Sequence, residues 1–343
     1  MNMKNCVAIS FLIIFLFFSP AFAAIKRPPQ FVVISFDNGG QISHFKQLAD
    51  FLDKMNHQHQ SIHFTFFISG TSFLTKANKY RYQGPNHVAG EAEIPFGGSQ
   101  ENLEARIMLM NKLYLKGNEF ASHAVGHFDG ATWTIADWEK EFNSYHKLFD
   151  DIVLNNGLAV SPRLVFSFKK VVGFRAPYLA VNSDLFRVLQ SNHYRYDASG
   201  IGNPDAWPSK IGGLWHFNLA NLKIAGTNKD TISMDYNFYL AQSEAKEDPN
   251  PEHQRLYRTQ MLATYMNYFL SNYHGNRAPI HIGHHFTNFQ QGVYNQALLE
   301  FSQHVCRLPE VRCVSFKELA DFMDRLSLND LKAYQKNAFH RLG

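Results

Sequence analysis

Short apolar runs alternate with longer stretches of helical periodicity along most of this chain. In the helical stretches, apolar residues recur every three or four positions, as at Phe45, Leu48 and Leu52, which is the pattern of an amphipathic helix. The predicted helices are residues 43–56, 101–116, a segment capped by Thr134, 183–191, 252–273, 293–305 and 316–326. The apolar runs predict strands at residues 31–36, 63–68, 119–122, 171–174, 194–197, 213–224, 278–282 and 311–314.

This order of strand and helix recurs about seven times, and the strands are apolar throughout rather than at every second position. Such strands are buried on both faces, as in a parallel sheet covered by helices. The pattern therefore predicts an α/β fold, a distorted (β/α) barrel formed by one domain over residues 24–343, with an open doubly wound sheet as the alternative. Residues 69–100 and 226–251 are long for connecting loops, and loops of this length are usually functional or mobile.

The composition narrows the class of protein. With 45% hydrophobic and 18% charged residues, the chain can bury a large core and is neither disordered nor a small disulfide-stapled domain. A formal net charge of +4 without a run of Lys or Arg gives no reason to expect nucleic-acid binding.

The first residues have the pattern of an export signal. Lys4 precedes an apolar stretch over residues 7–18, and Ala21-Phe22-Ala23 follows, which predicts a signal peptide over residues 1–23 that is cleaved near Ala23. An uncleaved anchor is the alternative, but the apolar stretch is shorter than the roughly 20 residues that span a bilayer. We therefore expect a secreted or periplasmic protein without a membrane segment in its mature form.

Two cysteines remain after such cleavage, Cys306 and Cys313. An oxidising compartment favours a disulfide between them, and two buried free thiols are the alternative.

Polar clusters stand at the ends of five predicted strands. In a parallel barrel the carboxyl ends of all strands open on one rim, where catalytic groups gather. The sequence therefore predicts that these clusters converge on one site. They are Asp37-Asn38-Gly39-Gly40, His123-Ala124-Val125-Gly126-His127, Arg175-Ala176-Pro177-Tyr178, Asp197 and Gly283-His284-His285.

Pairs of histidines four residues apart can bind one metal ion when they share a face. Among 17 histidines one such pair is weak evidence, and this chain has three. We favour a metal at His123/His127, because a strand end with a carboxylate is expected beside it. We interpret His59/His63 as a surface helix end that leads into a strand, and His281, of the pair His281/His285, as a strand residue facing away from His284.

Together these segments resemble the five motifs of the polysaccharide deacetylases of carbohydrate esterase family four, the NodB-homology domain. They occur in the family order between Phe31 and about Met323, and the resemblance implies a distorted (β/α)7-type barrel. Ser35-Phe36-Asp37-Asn38-Gly39 matches the family's Thr-Phe-Asp-Asp-Gly, and His123-Ala124-Val125-Gly126-His127 matches its His-(Ser/Thr)-x-x-His. Arg175-Ala176-Pro177-Tyr178 matches its Arg-x-Pro-(Tyr/Phe). Tyr196-Asp197-Ala198-Ser199 matches the Asp that follows a short strand, and Ile280-His281-Ile282-Gly283-His284 matches the final strand that ends in His.

The resemblance implies a hydrolase of carbon–nitrogen bonds other than peptide bonds. It would be a metal-dependent N-deacetylase that releases acetate from an N-acetylated polysaccharide of the peptidoglycan or chitin type. Asp37 would be the general base, Arg175 and Asp197 would orient it, and His284 would protonate the leaving amine.

The same resemblance implies a cofactor site. Asn38, His123 and His127 would bind one divalent metal, with zinc expected first and cobalt, manganese or nickel as alternatives. The backbone N–H of Tyr178 would help to stabilise the oxyanion.

The chain departs from the family pattern at three positions. Asn38 replaces a carboxylate, Ala124 replaces a hydroxyl residue, and His285 stands where an Asp is common. Two alternatives are therefore a carbohydrate-binding pseudoenzyme of the same fold and an amidohydrolase that acts on a small amide. We expect one or two of the rim aromatics to contact sugar, from the set Trp133, Trp207, Trp215, Tyr236, Phe238 and Tyr239.

Overall fold

The computed structural model describes residues 26–39, 41–57, 61–159 and 162–339. The predicted signal peptide and His59 lie outside the described residues. Among the helices in these ranges, none combines the length and the apolar character that crossing a membrane requires.

The described residues form alternating strands and helices. The strands are β1 (Gln30–Asn38), β2 (Thr65–Ile68), β3 (Glu119–Ser122), β4 (Gly173–Phe174), β5 (Tyr196–Asp197), β6 (Ile201–Gly202), β7 (Ser209–Ile211), β8 (Leu214–His216), β9 (Leu219–Lys223), β10 (Asp230–Ile232), β11 (Ile280–His285) and β12 (Val311–Cys313). The α-helices are α1 (Ile42–His57), α2 (Gln100–Leu115), α3 (Ile135–Asp150), α4 (Ile152–Asn156), α5 (Ser183–Ser191), α6 (Asp235–Ser243), α7 (Pro251–His274), α8 (Val293–Val305), α9 (Phe316–Met323) and α10 (Leu328–Gln335).

The main sheet is a curled half-barrel, as the sequence predicted. Its strand order is β11-β1-β2-β3-β4-β5-β8-β7, and β12 pairs with the first residues of β1. All pairs are parallel except β7 with β8. From β1 to β5 the order follows the chain in one direction, whereas a doubly wound sheet reverses direction at a switch point. The barrel-type prediction is therefore confirmed. A second small sheet has the order β10-β9-β6.

Both faces of the main sheet are buried, which explains why its strands are apolar throughout. Ile34 and Phe66 belong to the large core under most of the helices. Val33 and Phe67, on the opposite face, belong to a second core that α9 and α10 cover. Successive strand residues point to opposite faces. Whether a residue has an even or an odd number within a strand therefore decides whether it faces the large core or the barrel interior.

Local signals placed several elements accurately. Thr134 caps α3 with a capping box, and α5, α8 and β3 have the predicted bounds. The strand predicted at 278–282 lies further along the chain as β11 (Ile280–His285), because His284 and His285 continue the pairing with β1. The stretch 226–251 is only partly a loop, since it contains β10 and α6. A disulfide joins Cys306, which follows α8, to Cys313 in β12.

Candidate active site

A cavity of about 670 Å³ opens at the carboxyl ends of the strands. Five of the predicted site residues line it, although they come from three distant parts of the sequence. His284, Arg175 and Asp197 are not among its lining residues. The five predicted residues that line the cavity are Asp37, Asn38, His123, His127 and Tyr178.

Asp37 is held by a buried ion pair. Its Oδ1 accepts a hydrogen bond of 2.8 Å from Nη1 of Arg175, and both side chains are almost fully buried. The guanidinium also donates to the hydroxyl of Ser35 and the carbonyl of Ala198, and it lies 4.4 Å from the ring centre of Phe67. A buried charge with several partners has little freedom to move. The predicted orienting role of Arg175 toward Asp37 therefore has a direct geometric basis.

Asp197 lies at the end of β5 and is linked by hydrogen bonds to the segment that follows β4. Its Oδ1 accepts a 2.6 Å hydrogen bond from the hydroxyl of Ser199, and that hydroxyl accepts the backbone N–H of Ala176 at 2.8 Å. Asp197 therefore stabilises the turn that carries Arg175 and Tyr178. The predicted orienting role of Asp197 toward Asp37 would therefore act through the segment of Arg175, because Asp197 ends β5 and Asp37 lies in β1.

The imidazoles of His123 and His127 meet in the cavity with ring centroids 5.1 Å apart. Nδ1 of His123 lies 2.8 Å from the carbonyl oxygen of Arg175. An N–H donated there leaves Nε2 as a lone-pair donor, which is the usual outer contact of a metal-binding histidine. Burial lowers the pKa of His123 to about 3 and also lowers the pKa of His127. Both rings are therefore neutral near pH 7, the form that binds metal.

Asn38, the third expected ligand, is a weaker metal ligand than a carboxylate. Asn38 lines the same cavity, but its side chain offers a neutral amide oxygen, which lies 3.4 Å from the hydroxyl of Ser69. Within the described ranges, no group of three or more His, Cys, Asp or Glu side chains has the arrangement of a metal site. The donor set fits a divalent cation at its two imidazoles and lacks the carboxylate that would add charge attraction.

The histidine that faces the cavity at the end of β11 is His285, not His284. His284 is fully buried, with Nε2 3.2 Å from the hydroxyl of Tyr265 and Nδ1 3.3 Å from Oδ1 of Asn295. Those partners belong to α7 and α8, so His284 lies on the face of the sheet that packs against these two helices. His285 has the opposite parity and lines the cavity. The sequence match to a strand ending in His indicated His284, whereas the structure places His285 at the cavity.

Asp235 was not expected from the sequence, and it holds the cavity residue His285. Its Oδ1 lies 2.6 Å from Nδ1 of His285, and its Oδ2 accepts the backbone N–H of the same residue at 2.9 Å. Burial acts to lower the pKa of His285, but the Asp235 carboxylate outweighs it and the pKa is raised. Asp235 is the first residue of α6, inside the stretch expected to be a loop. Recognising from the sequence that a helix begins at this position would have been the signal for Asp235.

Exposed tyrosines form part of the rim. Tyr178 is 61% exposed and Tyr236 is 42% exposed, and both line the cavity. The hydroxyl of Tyr178 donates a 2.8 Å hydrogen bond to Glu93, and partial burial together with Glu93 raises its pKa to about 12. Of the six aromatics considered from sequence, only Tyr236 is available to a ligand. The others are buried: Trp133, Trp207, Trp215, Phe238 and Tyr239.

Comparison with known proteins supports the fold. No protein-family model and no curated protein matches the sequence. Among solved structures, a candidate polysaccharide deacetylase from Mycobacterium smegmatis has a TM-score of 0.54 at 13% identity, covering 89% of this chain and 97% of its own. The Xyl-CE4 domain of a multidomain xylanase from the hindgut metagenome of Trinervitermes trinervoides has a TM-score of 0.46 at 14% identity, covering 86% and 92%. A CE4 family pseudoenzyme from Bacillus anthracis has a TM-score of 0.45 at 9% identity, covering 85% and 66%.

Only the first of these three has a TM-score above 0.5. It establishes that this chain has the fold of the polysaccharide deacetylases, and the resemblance inferred from the motifs is thereby confirmed at the level of the fold.

Proposed function

We propose that this protein is an exported, metal-dependent N-deacetylase that removes acetyl groups from an N-acetylated polysaccharide of the peptidoglycan or chitin type. One observation carries the proposal: a carboxylate held by an arginine, two neutral imidazoles and a carboxylate-bound imidazole surround one cavity. These are the groups that amide hydrolysis needs: a base, a metal site and an acid. The deacetylase-like fold adds support.

Asp37 would act as the general base. Arg175 occupies Oδ1 of Asp37, so the carboxylate is held in one orientation at the cavity wall. A water beside Asp37 gives it a proton and attacks the acetyl carbon, forming a carbon–oxygen bond. His123, His127 and Asn38 would hold a divalent cation, which when bound would supply Lewis-acid polarisation of the amide carbonyl.

His285 would act as the general acid in the role that the sequence assigned to His284. An amine is a poor leaving group and departs only with a proton. Asp235 binds Nδ1 of His285, which leaves Nε2 as the proton donor. The carbon–nitrogen bond breaks, and the products are acetate and a free amine. The backbone N–H of Tyr178 remains our expected oxyanion donor.

Two features support export. The disulfide between Cys306 and Cys313 is typical of oxidising compartments, and residues 1–23 have the pattern of a signal peptide. A secreted or periplasmic enzyme would meet cell-wall or matrix glycans, and the exposed rim formed by Tyr178 and Tyr236 is reachable by a polymer.

The test is acetate release from N-acetylglucosamine oligomers and from peptidoglycan, with zinc and with other divalent metals. We expect Asp37→Asn and His123→Ala to abolish most of the release. His253→Ala is the matched control, because His253 is exposed and outside the cavity. Equal activity of all three variants would refute this mechanism.

A carbohydrate-binding pseudoenzyme is the second candidate. The neutral side chain of Asn38 favours it, and so does the lack, among the described residues, of a metal-binding group of three or more His, Cys, Asp or Glu side chains. Glycan binding by the wild-type protein without acetate release, under every divalent metal tried, would select this function. Turnover of small amides alone would instead indicate an amidohydrolase.

A further inference from the structure

The loop that joins the two metal-site histidines has a costly backbone. Ala124 and His127 have φ values of 53° and 62°, in the left-handed region where the Cβ of an L-residue is crowded. The direction of the His127 imidazole depends on this conformation. Ala124 has no polar side chain that could hold the loop, so the stabilising contacts must come from elsewhere in the fold.

A buried carboxylate supplies these contacts. Glu141 projects from α3 and is 1% exposed. Its Oε1 accepts the backbone N–H of Val125 at 2.7 Å and that of Gly126 at 3.2 Å. Val125 and Gly126 are the two residues between Ala124 and His127, so one side chain binds the backbone N–H groups at the centre of the loop.

The segment 69–100 holds the same loop. The hydroxyl of Tyr82 donates to both oxygens of Glu141, at 2.9 and 3.1 Å. Burial raises the pKa of Tyr82, which keeps the hydroxyl protonated and able to donate. On the other side, the carbonyl of Gly126 accepts the backbone N–H of Glu93 at 2.9 Å. A Cβ at Gly126 would lie 2.6 Å from the Tyr82 hydroxyl oxygen, so the packing is close.

We propose that Glu141 is a positioning residue for His127, and that Tyr82 links this role to the 69–100 segment. The inference rests on the proposed metal site, but not on the reaction. Glu141 orders the loop through two N–H groups and thereby presents the His127 imidazole to the cavity beside His123. Outer contacts of this kind typically change metal affinity by roughly 10- to 100-fold when they are lost.

The chain provides a matched control at the other end of β3. Glu119 is buried as well, and it accepts the Tyr196 hydroxyl at 2.8 Å, the Thr65 hydroxyl at 2.9 Å and the backbone N–H of Lys317 at 2.8 Å. The two glutamates therefore share burial, a tyrosine donor and a backbone donor. Only Glu141 contacts the loop of His127, so a general effect of losing a buried carboxylate should appear in both.

The experiment measures zinc affinity by competition with a chromogenic chelator, the visible spectrum of the cobalt-loaded protein, and hydrogen exchange at Val125 and Gly126. We expect Glu141→Ala to weaken zinc binding by roughly 10- to 100-fold, to change the cobalt spectrum and to speed exchange at both amides. Glu141→Gln keeps an acceptor for the two N–H groups, so affinity should return to within about threefold of wild type. Glu119→Ala should lower thermal stability and leave zinc affinity within about twofold.

Wild-type affinity in Glu141→Ala would overturn the proposal, and so would an equal loss in Glu119→Ala. If Glu141→Ala does not fold, Glu141→Asp replaces it, because the shorter side chain keeps the charge and withdraws the acceptor from the loop. If the wild-type protein binds no zinc, the metal site fails while the positioning role is still tested by exchange. Unchanged exchange at Val125 and Gly126 in the variant would then refute it.

Discussion

Asp37 and His285 are direct partners across the neighbouring parallel strands β1 and β11. Residues in register on parallel strands point to the same face of the sheet, so a carboxylate and an imidazole both face the cavity. Nδ1 of His285 is bound by Asp235. The pairing places the proposed base and the proposed acid on one wall, and it distinguishes His285 from the adjacent His284.

The two adjacent histidines should respond differently to the same substitution. We expect His285→Gln to lower kcat for acetate release by about 10²- to 10⁴-fold, the usual contribution of a general acid, with little change in thermal stability. His284→Gln is the matched control and should mainly lower the melting temperature, because His284 is buried between α7 and α8. A folded His284→Gln variant that loses as much activity as His285→Gln would contradict the assignment.

The pH profile should report the Asp235–His285 pair. Burial lowers the pKa of His285, but Asp235 raises it by more, so Asp235→Asn should lower that pKa. A general acid must be protonated to act, and the basic limb of the kcat/KM profile should therefore move to lower pH. The control is Asp150→Asn, which removes the carboxylate from the exposed pair with His146 and should leave the profile unchanged. A basic limb that stays in place in Asp235→Asn would exclude His285 as its origin.

Asn38 should limit the affinity for metal. Asn38→Asp adds a carboxylate beside the two imidazoles, and we expect zinc affinity to rise on the order of tenfold, because a full charge joins the ligand set. Asp tolerates the left-handed backbone of this position, where φ is 86°. Isothermal titration and acetate release measure the change.

Asn237→Asp is the control for this substitution, since Asn237 lines the same cavity and lies outside the ligand set. The variant adds equal charge and should leave zinc affinity nearly unchanged. Equal gains in both variants would indicate a general electrostatic effect instead of ligation.

The rim tyrosine Tyr236 should contribute to substrate binding. We expect Tyr236→Ala to raise KM for chitin-type oligomers by about three- to tenfold with kcat preserved, as for the loss of one aromatic contact. Tyr80→Ala is the control, because Tyr80 is 68% exposed and does not line the cavity. If KM is unchanged in both variants, sugar does not bind at Tyr236.

The sequence by itself determined the order of strands and helices and the convergence of the strand-end clusters. Continuous apolar strands require burial on both faces, and parallel strands bring their carboxyl ends to one rim. Asp37, His123 and His127 therefore reach one cavity, as their positions after strands indicated. Arg175 likewise contacts Asp37, the residue that it was expected to orient.

Only the tertiary structure showed that His285, and not His284, faces the cavity. Alternate residues of a strand point to opposite faces, and the sequence pattern ended this strand before both histidines, whereas the strand includes them. Asp235 and Glu141 were equally beyond the sequence pattern. Their partners lie 50 and 16 residues away along the chain, and such contacts are set by how helices pack on the sheet, which periodicity and local motifs do not encode.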